Sequence, residues 1–129
     1  MTFTDVMKRH VEKDDITWVK KHMKARNLED EYYENPLHRA CCFVSLECIR
    51  YFVKLGYDVN EEDLCTYPLH YLIVNVKELT PAIISVIKLL VSHGANPNVR
   101  DTEAGETVMD IVRDRHPDEI EKYRDLLLG

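Results

Sequence analysis

The sequence predicts an all-α solenoid in which short helix-turn-helix units stack in a row, and three observations predict it. First, Asn35-Pro36-Leu37-His38 recurs as Tyr67-Pro68-Leu69-His70, 32 residues further along the chain. Second, each copy is followed by two apolar-rich segments, the second of which repeats apolar residues at helical spacing. Third, each second segment ends at a glycine with an asparagine four positions later, as in Gly56 and Asn60. Self-similarity at such a period indicates stacked supersecondary units.

Helix start and stop signals agree with this pattern. Pro36 and Pro68 suit the first position of a helix, because the N–H that proline lacks would be unpaired there and its φ is already fixed. Gly56 and Gly94 follow the second helices, where a left-handed residue commonly ends a helix. One pair of short helices cannot bury its own apolar stripe, so it must stack on neighbouring pairs.

The repeated unit resembles the ankyrin repeat, which runs Thr-Pro-Leu-His, two helices, Gly-Ala-Asp-x-Asn and an extended finger. The interval of 32 residues is close to the family period of about 33. Residues 105–110 resemble a degenerate third copy with Val108 in the proline position, and residues 14–23 resemble the second helix of an N-terminal unit. The resemblance implies an ankyrin-repeat solenoid of about four helix-turn-helix units with short finger hairpins.

The first and last units are expected to act as caps of a single, complete domain spanning residues 1–129. Charged residues are frequent around Pro117 to Leu127, and such residues cover the face of a terminal unit that has no neighbour. The resulting boundaries are a capping unit at about 1–30, a repeat at 31–63, a repeat with an insertion at 64–101, and a C-terminal capping unit at 102–129.

The insertion, residues 76–81, separates the two helices of the second internal unit. Thr80 followed by Pro81 predicts a helix start, with a cap and then a first position. We therefore expect the insertion to lengthen the inter-helix loop and the second helix. A role in binding and a tolerated surface loop both stay open, because lengthening a loop costs little free energy.

Composition and charge argue against several classes of function. The chain of 129 residues, 45% hydrophobic, fits one globular domain. It has no apolar run long enough for a bilayer, and because its first residues lack a basic region and an apolar core, we expect no secretory signal. A net charge of −6 argues against nucleic acid, although Lys20, Lys21, Lys24 and Arg26 cluster on what we interpret as the solvated face of one helix. The four cysteines lack a disulfide framework, so we expect reduced thiols and a cytoplasmic location, in a host cytosol if the source is viral.

No catalytic motif is present, so we expect no enzyme, no cofactor and no metal. The chain lacks a glycine-rich phosphate loop, His-Glu-x-x-His and Gly-x-Ser-x-Gly. His38, Cys41 and Cys42 could share one side of a helix with Cys48 near, a set that would suit zinc. However, Cys41 stands where the family prefers a small buried alanine, and buried cysteine behaves as a small hydrophobe. The resemblance assigns His38 and His70 to hydrogen bonds that link neighbouring units.

The resemblance implies a module for protein–protein interaction, acting as an adaptor, scaffold or inhibitor. The alternative is an immunity-type or regulatory subunit that blocks one cognate enzyme or toxin. In this family the partner surface comprises the fingertips and the concave, outward face of each first helix. By position, the partner-binding candidates are Glu31, Tyr32, Glu34, Cys42 and Phe43 in the first internal unit, Asp63, Leu64, Thr66, Val74 and Asn75 in the second, and Arg100, Thr102, Glu103 and Glu106 in the third.

Acidic residues dominate the predicted fingers, where segments 29–34, 58–67 and 98–106 contain eleven acids and one base, Arg100. This excess favours a basic protein partner, attracted over long range and fixed by aromatic anchors such as Tyr32 and Tyr67. A merely soluble edge is the other interpretation. We expect a monomer that binds neither nucleic acid nor membrane. Seven of the eleven acids lie outside the positions where the family usually has aspartate: Glu29, Glu31, Glu34, Glu61, Glu62, Glu103 and Glu106.

Overall fold

The computed structural model describes residues 3–23, 35–63 and 65–129, and within these ranges the chain is all-α, as predicted. Four helix pairs are present in the described part of the chain, with a 3₁₀ turn at Pro117–Glu119 before the last helix. The helices are α1 (Phe3–Glu12), α2 (Ile16–His22), α3 (Pro36–Cys42), α4 (Leu46–Leu55), α5 (Pro68–Asn75), α6 (Pro81–Ser92), α7 (Val108–Arg115) and α8 (Ile120–Leu128).

The helices lie in two layers. In the first-helix layer, α3 packs between α1 and α5, and α5 packs against α7. In the second-helix layer, α4 packs between α2 and α6, and α6 packs against α8. The Pro36 and Pro68 segments are therefore neighbours in one layer, which is the solenoid arrangement expected from the sequence.

One apolar core runs through all four pairs. Its fully buried side chains include Val11 from α1, Phe52 from α4, Ile73 from α5 and Tyr123 from α8. Burying one large apolar side chain contributes about 1.5–3 kcal/mol relative to leaving it exposed. Because the same cluster contains residues of every pair, the units stabilise one another and do not form separate cores.

The helix ends follow the signals in the sequence. Pro36 and Pro68 are first helical residues, and the Asn35 side chain caps α3 by accepting a hydrogen bond from the Leu37 N–H at 3.0 Å. Gly56 ends α4 with a φ of +94°, a left-handed conformation that glycine adopts without a steric penalty.

The insertion has the predicted effect on the second internal unit. Thr80 caps α6 by accepting from the Ile83 N–H at 3.2 Å, and Pro81 is the first helical residue. Helix α6 has 12 residues, whereas α4 has 10. Val76 is buried and holds the inserted loop against the core, while Lys77 and Glu78 are exposed.

Helix α7 begins at Val108 without the proline of the other repeats. Thr107 and Asp110 form a capping box, in which each side chain accepts a hydrogen bond from the other residue's N–H. These reciprocal bonds satisfy two helix-end donors. They explain how a repeat that lacks Pro-Leu-His still starts its helix at the expected position.

Asp14 links the first helix pair to the second. It has a φ of +53°, and its carboxylate accepts from the N–H of Cys48 at 2.9 Å and from that of Glu47 at 3.3 Å. Ser45 donates its hydroxyl to the Val11 carbonyl at 2.6 Å. The N-terminus of α4 is therefore capped by a residue of the preceding pair.

No helix in the described ranges is long and apolar enough to cross a membrane.

The buried hydroxyl of Tyr123 is expected to lower the stability of the fold. Its side chain is fully buried, its hydroxyl makes no hydrogen bond within the described residues, and burial raises its pKa to about 12. Because a buried unpaired hydroxyl is costly, we expect Tyr123→Phe to raise the free energy of unfolding by about 0.5–2 kcal/mol in urea titrations.

Tyr51 supplies the matched control, because its hydroxyl donates to the Met23 carbonyl at 2.9 Å. Tyr51→Phe should therefore lower the free energy of unfolding by about 1 kcal/mol. Equal losses of stability in both variants would contradict the prediction for Tyr123.

Candidate protein-interaction surface

Two buried histidines position the fingers that project from the solenoid. Nε2 of His38 lies 2.6 Å from the Glu61 carbonyl oxygen, and Nε2 of His70 lies 3.2 Å from that of Val99 and 3.1 Å from that of Glu106. Carbonyl oxygens only accept, so Nε2 carries the hydrogen in both rings. The prediction that these histidines make structural hydrogen bonds to backbone is confirmed.

Asp101 organises the finger before α7. Its carboxylate accepts from the Thr66 hydroxyl at 2.9 Å, from the Glu106 N–H at 3.0 Å and from the Ala104 N–H at 3.1 Å. Burial acts to raise the pKa of Asp101, but the hydrogen bonds from Glu106, Ala104 and Thr66 outweigh it and lower the pKa below its usual value. Asp101 is therefore a structural anion.

Thr66 requires a correction, because its side chain does not face a partner as predicted. It is buried, 5% exposed, and its hydroxyl is used by Asp101, 35 positions further along the chain. The repeat position alone would place the Thr66 side chain at the surface. In the structure this side chain instead makes a hydrogen bond to a residue of the next unit.

The acidic row of the fingers is also partly used within the protein. Glu62 accepts from both the N–H and the hydroxyl of Thr102, each at 2.8 Å, which joins two successive fingers. Arg100, the one base of the row, donates to the Gly105 carbonyl at 2.9 Å and lies 3.4 Å from the Asp110 carboxylate. Glu61 and Glu103 are exposed and make no side-chain hydrogen bond or ion pair within the described residues.

Asp63 and Tyr71 form a polar pair at the base of one finger. The Tyr71 hydroxyl donates to Asp63 Oδ2 at 2.7 Å, while Oδ1 accepts from the N–H groups of Cys65 and Thr66. Burial acts to raise the pKa of Asp63, but these hydrogen bonds outweigh it and lower the pKa. The pair lines a small cavity of about 170 Å³. The other lining residues are His38, Arg39 and Cys42.

A larger depression, which we name the Phe43 groove, adjoins this cavity at Cys42 and has a volume of about 830 Å³. It lies between the C-terminal ends of α3 and α5, and the insertion forms one wall. Phe43 is 46% exposed, one of two large apolar side chains that are exposed in the described residues. The groove is lined by Cys42, Phe43, Val44, Asn75, Val76, Lys77, Glu78, Thr80 and Ile83.

Backbone strain coincides with the groove. Val44 has a φ of +54°, a conformation that is unfavourable for a β-branched residue and costs on the order of 1–3 kcal/mol. Arg39 lies over the Phe43 ring at 5.8 Å from its centroid, which is a cation–π distance. The turn after α3 therefore places the Phe43 ring at the surface beside an apolar depression, at some expense of stability.

The predicted partner-binding residues other than Thr66 divide into four groups. Cys42, Phe43 and Asn75 lie together in the Phe43 groove, whereas Val74 is half-buried and packs against the core. Tyr71, which lines the adjoining small cavity, was not predicted, although it directly follows His70 on α5. The insertion, for which the sequence favours either a role in binding or a tolerated surface loop, contributes Val76, Lys77, Glu78 and Thr80 to the groove. Those that lie in fingers at the surface are Asp63, Arg100, Thr102, Glu103 and Glu106, and those outside the described residues are Glu31, Tyr32, Glu34 and Leu64.

The cysteines are free thiols. Cys41 and Cys48 are buried, and burial raises the pKa of both thiols well above the usual value. Among the residues that the structure describes, no group of three or more His, Cys, Asp and Glu side chains is arranged to hold a metal ion.

Four stacked helix pairs with linked fingers define the chain, over its described residues, as a helical repeat protein. A family model of ankyrin repeats, in three copies, matches residues 7–107. The chain therefore belongs to the ankyrin-repeat family, which confirms the resemblance in its sequence. Ankyrin repeats are generally protein–protein interaction modules, and the family is typically non-enzymatic.

Three relatives are much longer than this chain. A putative ankyrin repeat protein of Acanthamoeba polyphaga mimivirus is 36% identical over 75% of the chain and 12% of its own length. The E3 ubiquitin-protein ligase hecd-1 of Caenorhabditis elegans is 32% identical over 78% of the chain and 4% of its own length. The ankyrin repeat and SOCS box protein 11 of Mus musculus is 29% identical over 67% of the chain and 25% of its own length. The chain thus spans a quarter or less of each relative.

The lowered pKa of Asp101 makes the free energy of unfolding depend on pH. Because its folded-state pKa is lowered, its stabilising effect is present above the pKa of the unfolded chain and is lost as pH falls through the folded pKa. We expect Asp101→Asn to lower the free energy of unfolding by about 1–3 kcal/mol at neutral pH, measured by urea titration.

The difference between Asp101→Asn and the wild type should shrink as the pH falls below about 4. Asp118→Asn is the control, since Asp118 is exposed and makes no hydrogen bond or ion pair within the described residues. A pH-independent difference for Asp101→Asn would count against its role as a structural anion.

Proposed function

We propose that this chain is a non-enzymatic interaction module that binds a partner protein through the Phe43 groove, the adjoining first-helix face and the fingertips. The observation that carries this proposal is the Phe43 groove itself, an apolar depression of about 830 Å³ beside a half-exposed phenylalanine. Exposed aromatic side chains beside such depressions are characteristic anchors of protein interfaces.

The energetics favour a protein side chain as the occupant. Covering the half-exposed Phe43 ring and the partly buried Val44 side chain removes apolar surface from water, and each Å² removed contributes about 25 cal/mol. Lys77, Glu78 and Asn75 stand at the rim, where polar groups can fix the orientation of the bound segment. The turn at Val44, which shares its positive φ with Asp14 at the corresponding turn of the first pair, holds Phe43 beside the groove for this contact.

The fingers favour a partner with a basic surface. Glu61 and Glu103 are exposed, and Arg100 already has Asp110 beside it. The net charge that this edge presents to a partner is therefore negative. Such an edge attracts a basic protein over long range and speeds association more than it tightens the final complex.

The module acts by occupancy, as an adaptor, a scaffold or an inhibitor. The Caenorhabditis elegans relative is named as an E3 ubiquitin-protein ligase, but the match covers only 4% of its length. A repeat segment of this size supplies recognition in a larger protein, so we place no catalytic step on the present chain.

The two exposed large apolar side chains give a matched test. Phe43 is 46% exposed and Leu128 is 47% exposed, and Leu128 ends α8, away from the residues that line the groove. With a partner isolated on the wild-type chain, we expect Phe43→Ala to weaken binding at least about tenfold by calorimetry, and Leu128→Ala to leave it unchanged.

Both variants should keep their free energy of unfolding within about 1 kcal/mol of the wild type, because both side chains are half in water. If Leu128→Ala weakens binding as much as Phe43→Ala does, the Phe43 groove is not the binding site.

The charge of the fingers is tested by association rates with the same partner. We expect Glu61→Gln/Glu103→Gln to slow association several-fold in low salt, and the difference to vanish near 1 M salt, where the Debye length falls to about 3 Å. Glu121→Gln/Asp125→Asn on α8 removes the same charge elsewhere and serves as the control. Rates that do not respond to salt would exclude a basic partner at this edge.

A further inference from the structure

A second groove lies in the other layer of the solenoid, between α2 and α4. Its volume is about 360 Å³, and it shares no residue with the Phe43 groove. We name it the basic groove because it has three cations and one acid, in a protein of net charge −6. It is lined by Ile16, Lys20, Glu47, Arg50, Tyr51, Lys54 and Leu55.

The floor of the basic groove is apolar and fixed. Ile16, Tyr51 and Leu55 are partly buried and pack against the core of the protein. The Tyr51 hydroxyl donates to the Met23 carbonyl, which ties α4 to the C-terminal end of α2. An apolar side chain placed on this floor would leave water without displacing any of the described helices.

Arg50 is held in position but lacks a strong acidic partner. A terminal nitrogen of its guanidinium donates to the Ser85 hydroxyl on α6 at 3.1 Å, and its Nε is inaccessible to water and has no hydrogen bond within the described residues. Glu47 lies 3.7 Å from that Nε, and its side chain is 60% exposed, so this ion pair contributes little. The guanidinium is therefore preorganised, and because Nε is inaccessible, a two-pronged pair with a carboxylate would use its two terminal nitrogens.

The lysines complete the positive rim. Lys20 on α2 and Lys54 on α4 are exposed and make no ion pair within the described residues. Lys20 belongs to the basic cluster at residues 20–26, which the sequence pattern favours as a solvated helix face. In the structure Lys20 lies across the groove from Arg50 and Lys54, so the three positive charges surround one concave surface.

We propose that the basic groove docks an acidic segment of a partner protein, in which apolar side chains alternate with Asp or Glu. The cations fit the carboxylates, and the floor formed by Ile16, Tyr51 and Leu55 fits the apolar side chains. Nucleic acid has no apolar side chain for this floor, and the net negative charge of the protein repels it. The chain thereby holds two proteins of opposite charge at two separate grooves.

The test uses a fluorescein-labelled peptide of alternating Glu and Leu, with binding followed by fluorescence anisotropy in low salt. We expect saturable binding by the wild-type chain, weakened about tenfold by Lys20→Glu/Lys54→Glu. Lys13→Glu/Lys122→Glu carries the same change in net charge at lysines outside the groove, and its affinity should stay within about twofold of the wild type. Arg50→Lys should weaken binding several-fold although it keeps the charge.

Three other probes separate the possible occupants. Oligouridine, vesicles containing phosphatidylserine and the unlabelled chain itself, in sedimentation, are each compared between the wild type and Lys20→Glu/Lys54→Glu. The proposal stands if the acidic peptide alone binds in a groove-dependent manner. It is overturned if the peptide does not saturate, if the control pair loses as much affinity as the groove pair, or if RNA, vesicles or self-association depend on the groove instead.

Discussion

Shared burial between neighbouring helix pairs is the constraint on which this protein depends. A pair such as α3 and α4 has too little surface to remove its own apolar stripe from water, so each pair is completed by the next one. The continuous cluster of buried residues, which includes Met7 of the first pair and Leu127 of the last, is the result. Since stability is spread along the row, both grooves rest on contacts made by more than one pair, and neither is a property of a single repeat.

Hydrogen bonds to the finger residues fix the orientation of the fingers. The apolar core cannot do this, because hydrophobic burial has no direction. His38 and His70 bond finger carbonyls, and Asp101 gathers a hydroxyl and two N–H groups from two units. These hydrogen bonds are at least partly shielded from water, so changing one partner leaves the other without full compensation. The fingers are consequently fixed relative to the helices, and their remaining exposed acids form a surface of defined shape.

The sequence predicted the parts that depend on local chemistry. Proline at a first helical position, glycine at a left-handed helix end and the Thr80 cap are each set by one or two residues, and all were confirmed. Thr66 was misjudged because its partner, Asp101, is 35 positions away and no local pattern reveals the pairing. Likewise, the sequence places Glu62 in the acidic row of the fingers, and only the fold brings its carboxylate to Thr102, 40 positions away.

The two grooves could not be predicted for the same reason. Each exists only where residues from separate helices leave space between them, and Arg50 becomes a preorganised cation only through Ser85 of another pair. The family pattern led to Phe43, Cys42 and Asn75, but it gave no hint of the strain at Val44 or of the wall contributed by the insertion.

Through Asp14, the start of α4 in the second helix pair depends on the first helix pair. Its carboxylate covers the N-terminal amides of α4, and α4 carries both Arg50 and Lys54. Fraying of the turn between α1 and α2 would uncover those amides and loosen the start of α4 before the core itself opens. Hydrogen exchange at Cys48 therefore reports on the integrity of a different pair, and anything that clamps the N-terminal pair also steadies one side of the basic groove.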